Sequence, residues 1–138
     1  MDEMKLTNNF YLKEFIESRF FGDDQDRVLM SYKEDEDTLL PNLLKLSEQL
    51  QILRDYTGLP ISVNIAYRPK WWELKQGRSG NSQHVLCKAA DIVIVGLKPF
   101  ETYSLIEYLI DKGVLKIGGL GSYKSFTHLD IRTKKARW

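Results

Sequence analysis

Residues 82–95 read SQHVLCKAADIVIV. From position 89 the run AADIVIV is short, mostly apolar and rich in β-branched residues, and it reads as a strand broken by one acid, Asp91. Upstream, Ile61, Val63 and Ile65 alternate with Ser62 and Asn64, the pattern of a strand with one buried face. Downstream, PFETYSLIEYLIDK (99–112) reads as a helix with Ile106, Leu109 and Ile110 turned inward, ended by Gly113. VLKI (114–117) and FTHLDIR (126–132) are short strand candidates on either side of GGLGSY (118–123). That glycine cluster lacks the lysine pattern of a phosphate-binding loop and precedes no helix, so it reads as a tight turn.

Towards the N-terminus the period changes. Leu12, Phe15, Ile16, Arg19 and Phe20 recur at helical spacing. GDDQDRVLMSYKEDED (22–37) is dominated by charge and reads as a solvated loop. Leu39, Leu43, Leu46, Leu50 and Leu53 then form one apolar stripe, widened by Leu40 and Leu44, which is core packing. Asp37 or Thr38 can cap that helix, Pro41 fits its first turn and Gly58 ends it. Helices come first, followed by strands with one helix between them. The expected class is α+β with a mostly antiparallel sheet, in a single domain spanning residues 1–138.

The chain has 138 residues, enough to bury a core without disulfides. Twenty basic and 19 acidic side chains leave a formal net charge of +1, which gives no electrostatic reason to expect nucleic acid or a membrane surface as a partner. The single cysteine, Cys87, rules out an intrachain disulfide. The opening MDEMKLTNNFYLKEF lacks the apolar run and small-residue cleavage site of a secretory signal. Action outside the cytoplasm would therefore need another route of release or export.

Chemistry concentrates on the only two histidines, His84 and His128. Each adjoins a strand-forming segment and has an acid nearby. A catalytic zinc site needs three nitrogen or oxygen ligands and an open position, and His84, Asp91 and His128 supply that set. In FTHLDIR, strand alternation puts Phe126, His128 and Asp130 on one face and Thr127, Leu129 and Ile131 on the other. Leu129 and Ile131 face the core, so Asp130 shares the open face with His128. From there it can orient a histidine or act on a metal-bound water. Two histidines with aspartates nearby also occur in proteins that bind no metal, so ordinary core or surface histidines remain an open alternative. No HExxH is present, which excludes a zincin-type helix.

At these residues the chain resembles the D-alanyl-D-alanine carboxypeptidase family of zinc peptidases, which shares its fold with the hedgehog signalling domain and includes short lysin-like members. The first family motif, Ser-x-His-x-x-Gly-x-Ala-x-Asp, is matched by Ser82, His84, Ala89 and Asp91. The second, a late His-x-Asp followed by Arg, is matched by His128, Asp130 and Arg132. The upstream Tyr-Arg turn is matched by Tyr67, Arg68 and Pro69. LTNNFYLKEF and the closing KKARW resemble the lysin-like subgroup, so the similarity covers nearly the whole chain.

The resemblance implies an antiparallel sheet with helices on one side and one zinc ion on His84, Asp91 and His128. It implies Arg68 at the scissile carbonyl or substrate carboxylate, Ser82 on substrate or a neighbouring loop, and a peptidoglycan stem peptide as substrate of a monomeric enzyme. Trp71, beside Trp72, is a candidate wall for that peptide. Two positions depart from the pattern. Cys87 stands where the family has glycine, which leaves a different local backbone or a fourth ligand to consider. Ser125 stands where many members carry the catalytic acid, so either Asp130 or another acid takes the role of base, or the protein is weakly active or inert. It also keeps a non-catalytic cell-wall-binding module as the alternative.

Overall fold

The computed structural model describes residues 4–138. A small hairpin, β1 (Lys5–Thr7) and β2 (Phe10–Tyr11), leads into α1 (Leu12–Ile16) and a 3-10 segment, Arg19–Asp24. Helices α2 (Gln25–Glu34) and α3 (Glu36–Thr57) follow. The second half contains β3 (Ile61–Ile65), α4 (Lys70–Lys75), β4 (Ala89–Ile94), α5 (Pro99–Asp111), β5 (Gly119–Ser122), β6 (Thr127–Asp130) and β7 (Ala136–Arg137). The main sheet runs β3-β4-β6-β5-β7. Its first three pairings are antiparallel, and only β5 with β7 is parallel. The α+β class and the mainly antiparallel sheet are as the order of periodicities requires.

The leucine stripe of α3 is buried from Leu39 to Leu53. The helix stops on Gly58, whose φ of 68° is left-handed and easy only for glycine. It begins at Glu36, so Pro41 lies in the second turn rather than the first. Leu44 turns outward; Ser47 and Gln51 complete the buried face instead. Pro99 opens α5, and the Glu101 side chain accepts a hydrogen bond from the Lys98 N–H. Ile106 and Leu109 of that helix are fully buried, while Ile110 is only partly so.

Three local expectations need correction. Residues 22–37 are not a loop. Beneath the acidic composition, Val28 and Tyr32 stand four residues apart and are fully buried, and that single contact face is enough to hold α2. VLKI forms no strand; Leu115 and Ile117 are buried in an irregular connection. The glycine cluster is not a turn, because Gly119–Ser122 is β5 itself, paired with β6 on one side and β7 on the other.

The glycines in β5 have a packing reason. Gly119 lies opposite Asp130 and Gly121 opposite His128. A Cβ on Gly119 would collide with the Asp130 carboxylate, and one on Gly121 would meet the Trp138 indole at 2.5 Å. Bare backbone on this strand makes room for the side chains that build the site.

Candidate metal centre

Asp91 and His128 are direct cross-strand neighbours on β4 and β6, and Ile65 of β3 flanks Asp91 on the other side. Alternation sends Ala90, Ile92, Ile94 and Leu129 into the core and leaves Asp91, His128 and Asp130 on the opposite face. His84 arrives from outside the sheet on the 3-10 turn Gln83–Leu86, which Ser82 caps by accepting the His84 N–H at 3.1 Å. Arg68, three residues beyond β3, donates its backbone N–H to the His84 carbonyl. The chain leaving β3 and the His84 turn are thereby fixed to each other.

The three side chains converge. His84 Nε2 lies 3.3 Å and His128 Nδ1 3.1 Å from the same oxygen, Asp91 Oδ1. One ligand atom from each of the three residues falls within 4.8 Å of the others. For metal–ligand bonds of about 2.0–2.1 Å at tetrahedral angles, the ligand-to-ligand edge is about 3.3 Å. The two histidine–aspartate separations fit that edge.

The hydrogen bonds behind the histidines assign their protons. His84 Nδ1 sits 2.7 Å from the Ala66 carbonyl, which can only accept, so Nδ1 carries the hydrogen. Burial pushes the His84 pKa down, which keeps the ring neutral and leaves a bare lone pair at Nε2 facing Asp91. His128 Nε2 donates to Asp130 Oδ2 at 2.8 Å. Burial opposes charge on His128, but the Asp130 and Asp91 carboxylates outweigh it and raise its pKa. Burial also works against charge on Asp91, yet the adjoining His128 and His84 rings hold its carboxyl well below the usual range. Once His128 gives up its Nδ1 proton, two imidazole lone pairs and a carboxylate, each oriented by an outer partner, make the donor set of a divalent metal site. The residues fit the group.

The cluster forms the floor of a cavity of about 510 Å³. One wall is polar and basic, with Arg68, Arg78, Ser79, Asn81 and Gln83. The other is aromatic: Tyr123 and Phe126 stack at 4.4 Å, and the Trp138 ring lies 4.8 Å from that of His128. Trp138 is held in place by its indole N–H, which donates to the Tyr123 hydroxyl at 2.8 Å.

Of the residues singled out in the sequence, His84, Asp91, His128, Arg68 and Ser82 all line this cavity. Arg68 donates to Asp91 Oδ2 at 2.9 Å. Trp71 is placed elsewhere. Its indole N–H donates to the Ser31 hydroxyl and its ring lies under the Arg27 guanidinium, so it anchors α4 on α2 and forms no part of the wall. Asp130 is on the expected face, but that face is not open there. Asp130 is fully buried, with Oδ2 taken by His128 and Arg132 and Oδ1 by Arg132. A carboxylate so engaged orients His128 and has no oxygen free for a reacting proton. Ser125 lies exposed in the β5–β6 connection.

Cys87 is buried, and its thiol, raised in pKa by burial, lies outside the metal cluster. It holds φ at 58°, so the backbone keeps the left-handed conformation that suits glycine, now under a side chain. Sequence reasoning missed the aromatic wall of Tyr123, Phe126 and Trp138. It also missed Glu73, a buried acid in the cavity wall whose one visible signal is its place in the apolar run WWEL.

No curated protein matches the chain in a sequence comparison. The family model described as Peptidase M15 matches residues 24–130. That span runs from the start of α2 to the end of β6 and takes in all three converging ligands and Arg68, and the chain belongs to the peptidase M15 family.

Proposed function

We propose that this M15 peptidase holds one zinc ion on His84 Nε2, Asp91 Oδ1 and His128 Nδ1 and hydrolyses a peptide bond of a peptidoglycan stem peptide, acting as a monomer. The observation that carries the reading is the convergence of three oriented lone-pair donors at 3.1–3.3 Å on a cavity floor. Zinc bound there supplies Lewis acidity, which acidifies a water and polarises a carbonyl.

The chain's own groups do the rest. Ala66 and Asp130 hold the two imidazoles in the metal-binding tautomer. The Arg68 guanidinium, anchored on Asp91, is a fixed positive charge beside the place where a carbonyl oxygen gains negative charge or a substrate carboxylate docks. Ser79, Asn81 and Gln83 offer hydrogen-bonding groups to a peptide backbone, and the aromatic rings of Tyr123, Phe126 and Trp138 offer it apolar contact. The cell-wall substrate rests on the resemblance to the carboxypeptidase family in the three motifs around Arg68, His84 and His128.

One observation favours a second reading, a non-catalytic wall-binding module. Ser125 carries no acid, and among the described residues the only acidic side chains lining the cavity are Asp91 and the sealed Glu73. Digestion of purified muropeptides, with products read by mass spectrometry, separates the two. Chelator-sensitive cleavage establishes the peptidase; binding without product, at one zinc per chain, establishes the module.

A further inference from the structure

Glu73 lines the cavity but takes no part in the metal cluster. It lies in α4 with its side chain fully buried. Its Oε2 has one partner, Arg68 Nη1, at a long 3.4 Å, and its Oε1 has none. Arg68 Nε is likewise buried and unpaired. Among the described residues, four buried side-chain polar atoms lack a partner, and two of them belong to this one pair. A buried carboxylate with a single long contact is destabilising, and an apolar or amide side chain of similar volume would serve packing better. Groups kept at such cost concentrate at working sites.

We propose that Glu73 is a positioning residue that shares the Arg68 guanidinium with Asp91 and so keeps Asp91 Oδ1 available to the metal. This rests on the zinc reading above. Left to itself beside an aspartate, an arginine prefers a two-pronged pairing that engages both carboxylate oxygens. Here the pairing is single: Nη2 holds Asp91 Oδ2 at 2.9 Å, Nη1 is drawn to Glu73, and Oδ1 is left to the two histidines. Without Glu73, Nη1 is free to turn onto Oδ1 and compete with the ion. Glu73 also fixes the plane in which Arg68 presents its charge to the cavity.

The test measures zinc affinity by chelator competition, thermal midpoint without metal, and the heteronuclear NOE of the Arg68 Nε–H in metal-free protein. In Glu73→Leu the expected result is an unchanged or higher midpoint, a zinc Kd raised about tenfold or more, in the range seen for lost outer partners, and a reduced NOE. Glu73→Gln, which keeps an acceptor for Nη1, falls between Glu73→Leu and wild type, and it carries the test should Glu73→Leu not fold. In an Arg68→Ala background the Glu73 substitution has no further effect on zinc Kd.

The proposal is overturned by a lower midpoint with unchanged zinc Kd and NOE. It is equally overturned by the same loss of zinc affinity with or without Arg68. If wild-type protein takes up no zinc, the peptidase reading fails, and the NOE arm alone decides whether Glu73 holds Arg68.

Discussion

The two faces of β4 and β6 are equally dry and chemically opposite. On one stand Ala90, Ile92, Ile94 and Leu129; on the other stand Asp91, His128 and Asp130, none more than 6% exposed. The same two-residue alternation builds both. The apolar face needs only the right volume, so one aliphatic residue can replace another with repacking. The polar face works through assigned atoms: Ala66 for His84, Asp130 for His128, Arg68 and Glu73 behind Asp91. Burial by itself therefore does not separate core from site; the accounting of donors and acceptors does.

Substitutions on each face sharpen that contrast. The largest effect is expected from His84→Ala or His128→Ala. Each removes one ligand of three and should weaken zinc binding roughly a thousandfold, taking about 3–4 kcal/mol as one ligand's share. Metal analysis after dialysis should find no ion, with the circular dichroism spectrum intact. One ion per chain in both variants would erase the distinction between the faces.

Next comes Ile92→Ala on the apolar face, expected to cost about 2–4 kcal/mol in urea unfolding while zinc affinity stays near wild type. A loss of zinc in folded Ile92→Ala protein would mean that the two faces are not independent. Asp130→Asn follows, with zinc affinity falling about 10- to 100-fold, more than unfolding stability changes. Unaltered affinity would remove Asp130 from its orienting role.

The smallest effect is at Cys87. Cys87→Ala keeps the left-handed strain and loses the thiol packing, at about 1 kcal/mol. Cys87→Gly relieves about 1–2 kcal/mol of strain and loses the same packing, so it should unfold no earlier than the alanine variant. The reverse order in thermal melts would show that the backbone at Cys87 is not strained.

The candidate metal ligands were legible because their signal is local. Asp91 and His128 sit in strands whose alternation assigns faces without knowledge of the partner strands, and His84 sits seven residues before Asp91 at the entry to the same strand. The α3 stripe was legible for the same reason. α2 was hidden because seven acids between positions 22 and 37 outweigh the spacing of Val28 and Tyr32. β5 was hidden because its glycines answer to Asp130 and Trp138, side chains from outside the strand. Asp130 looked free because alternation gives a face but not what covers it, and Arg132 is what covers it. Glu73 could not be read at all: an acid in a short helix becomes informative only when its carboxylate is seen sealed against Arg68.

The indole at position 138 touches the His128 ring, while Trp71 is packed against α2. An aromatic fluorophore so close to a candidate ligand ring is a natural optical gauge of occupancy. Cobalt or copper taken up at the centre should quench its emission strongly, and zinc should shift it with little loss of intensity. Titrations can then be followed in a cuvette with no label attached, and Trp138→Phe provides the blank.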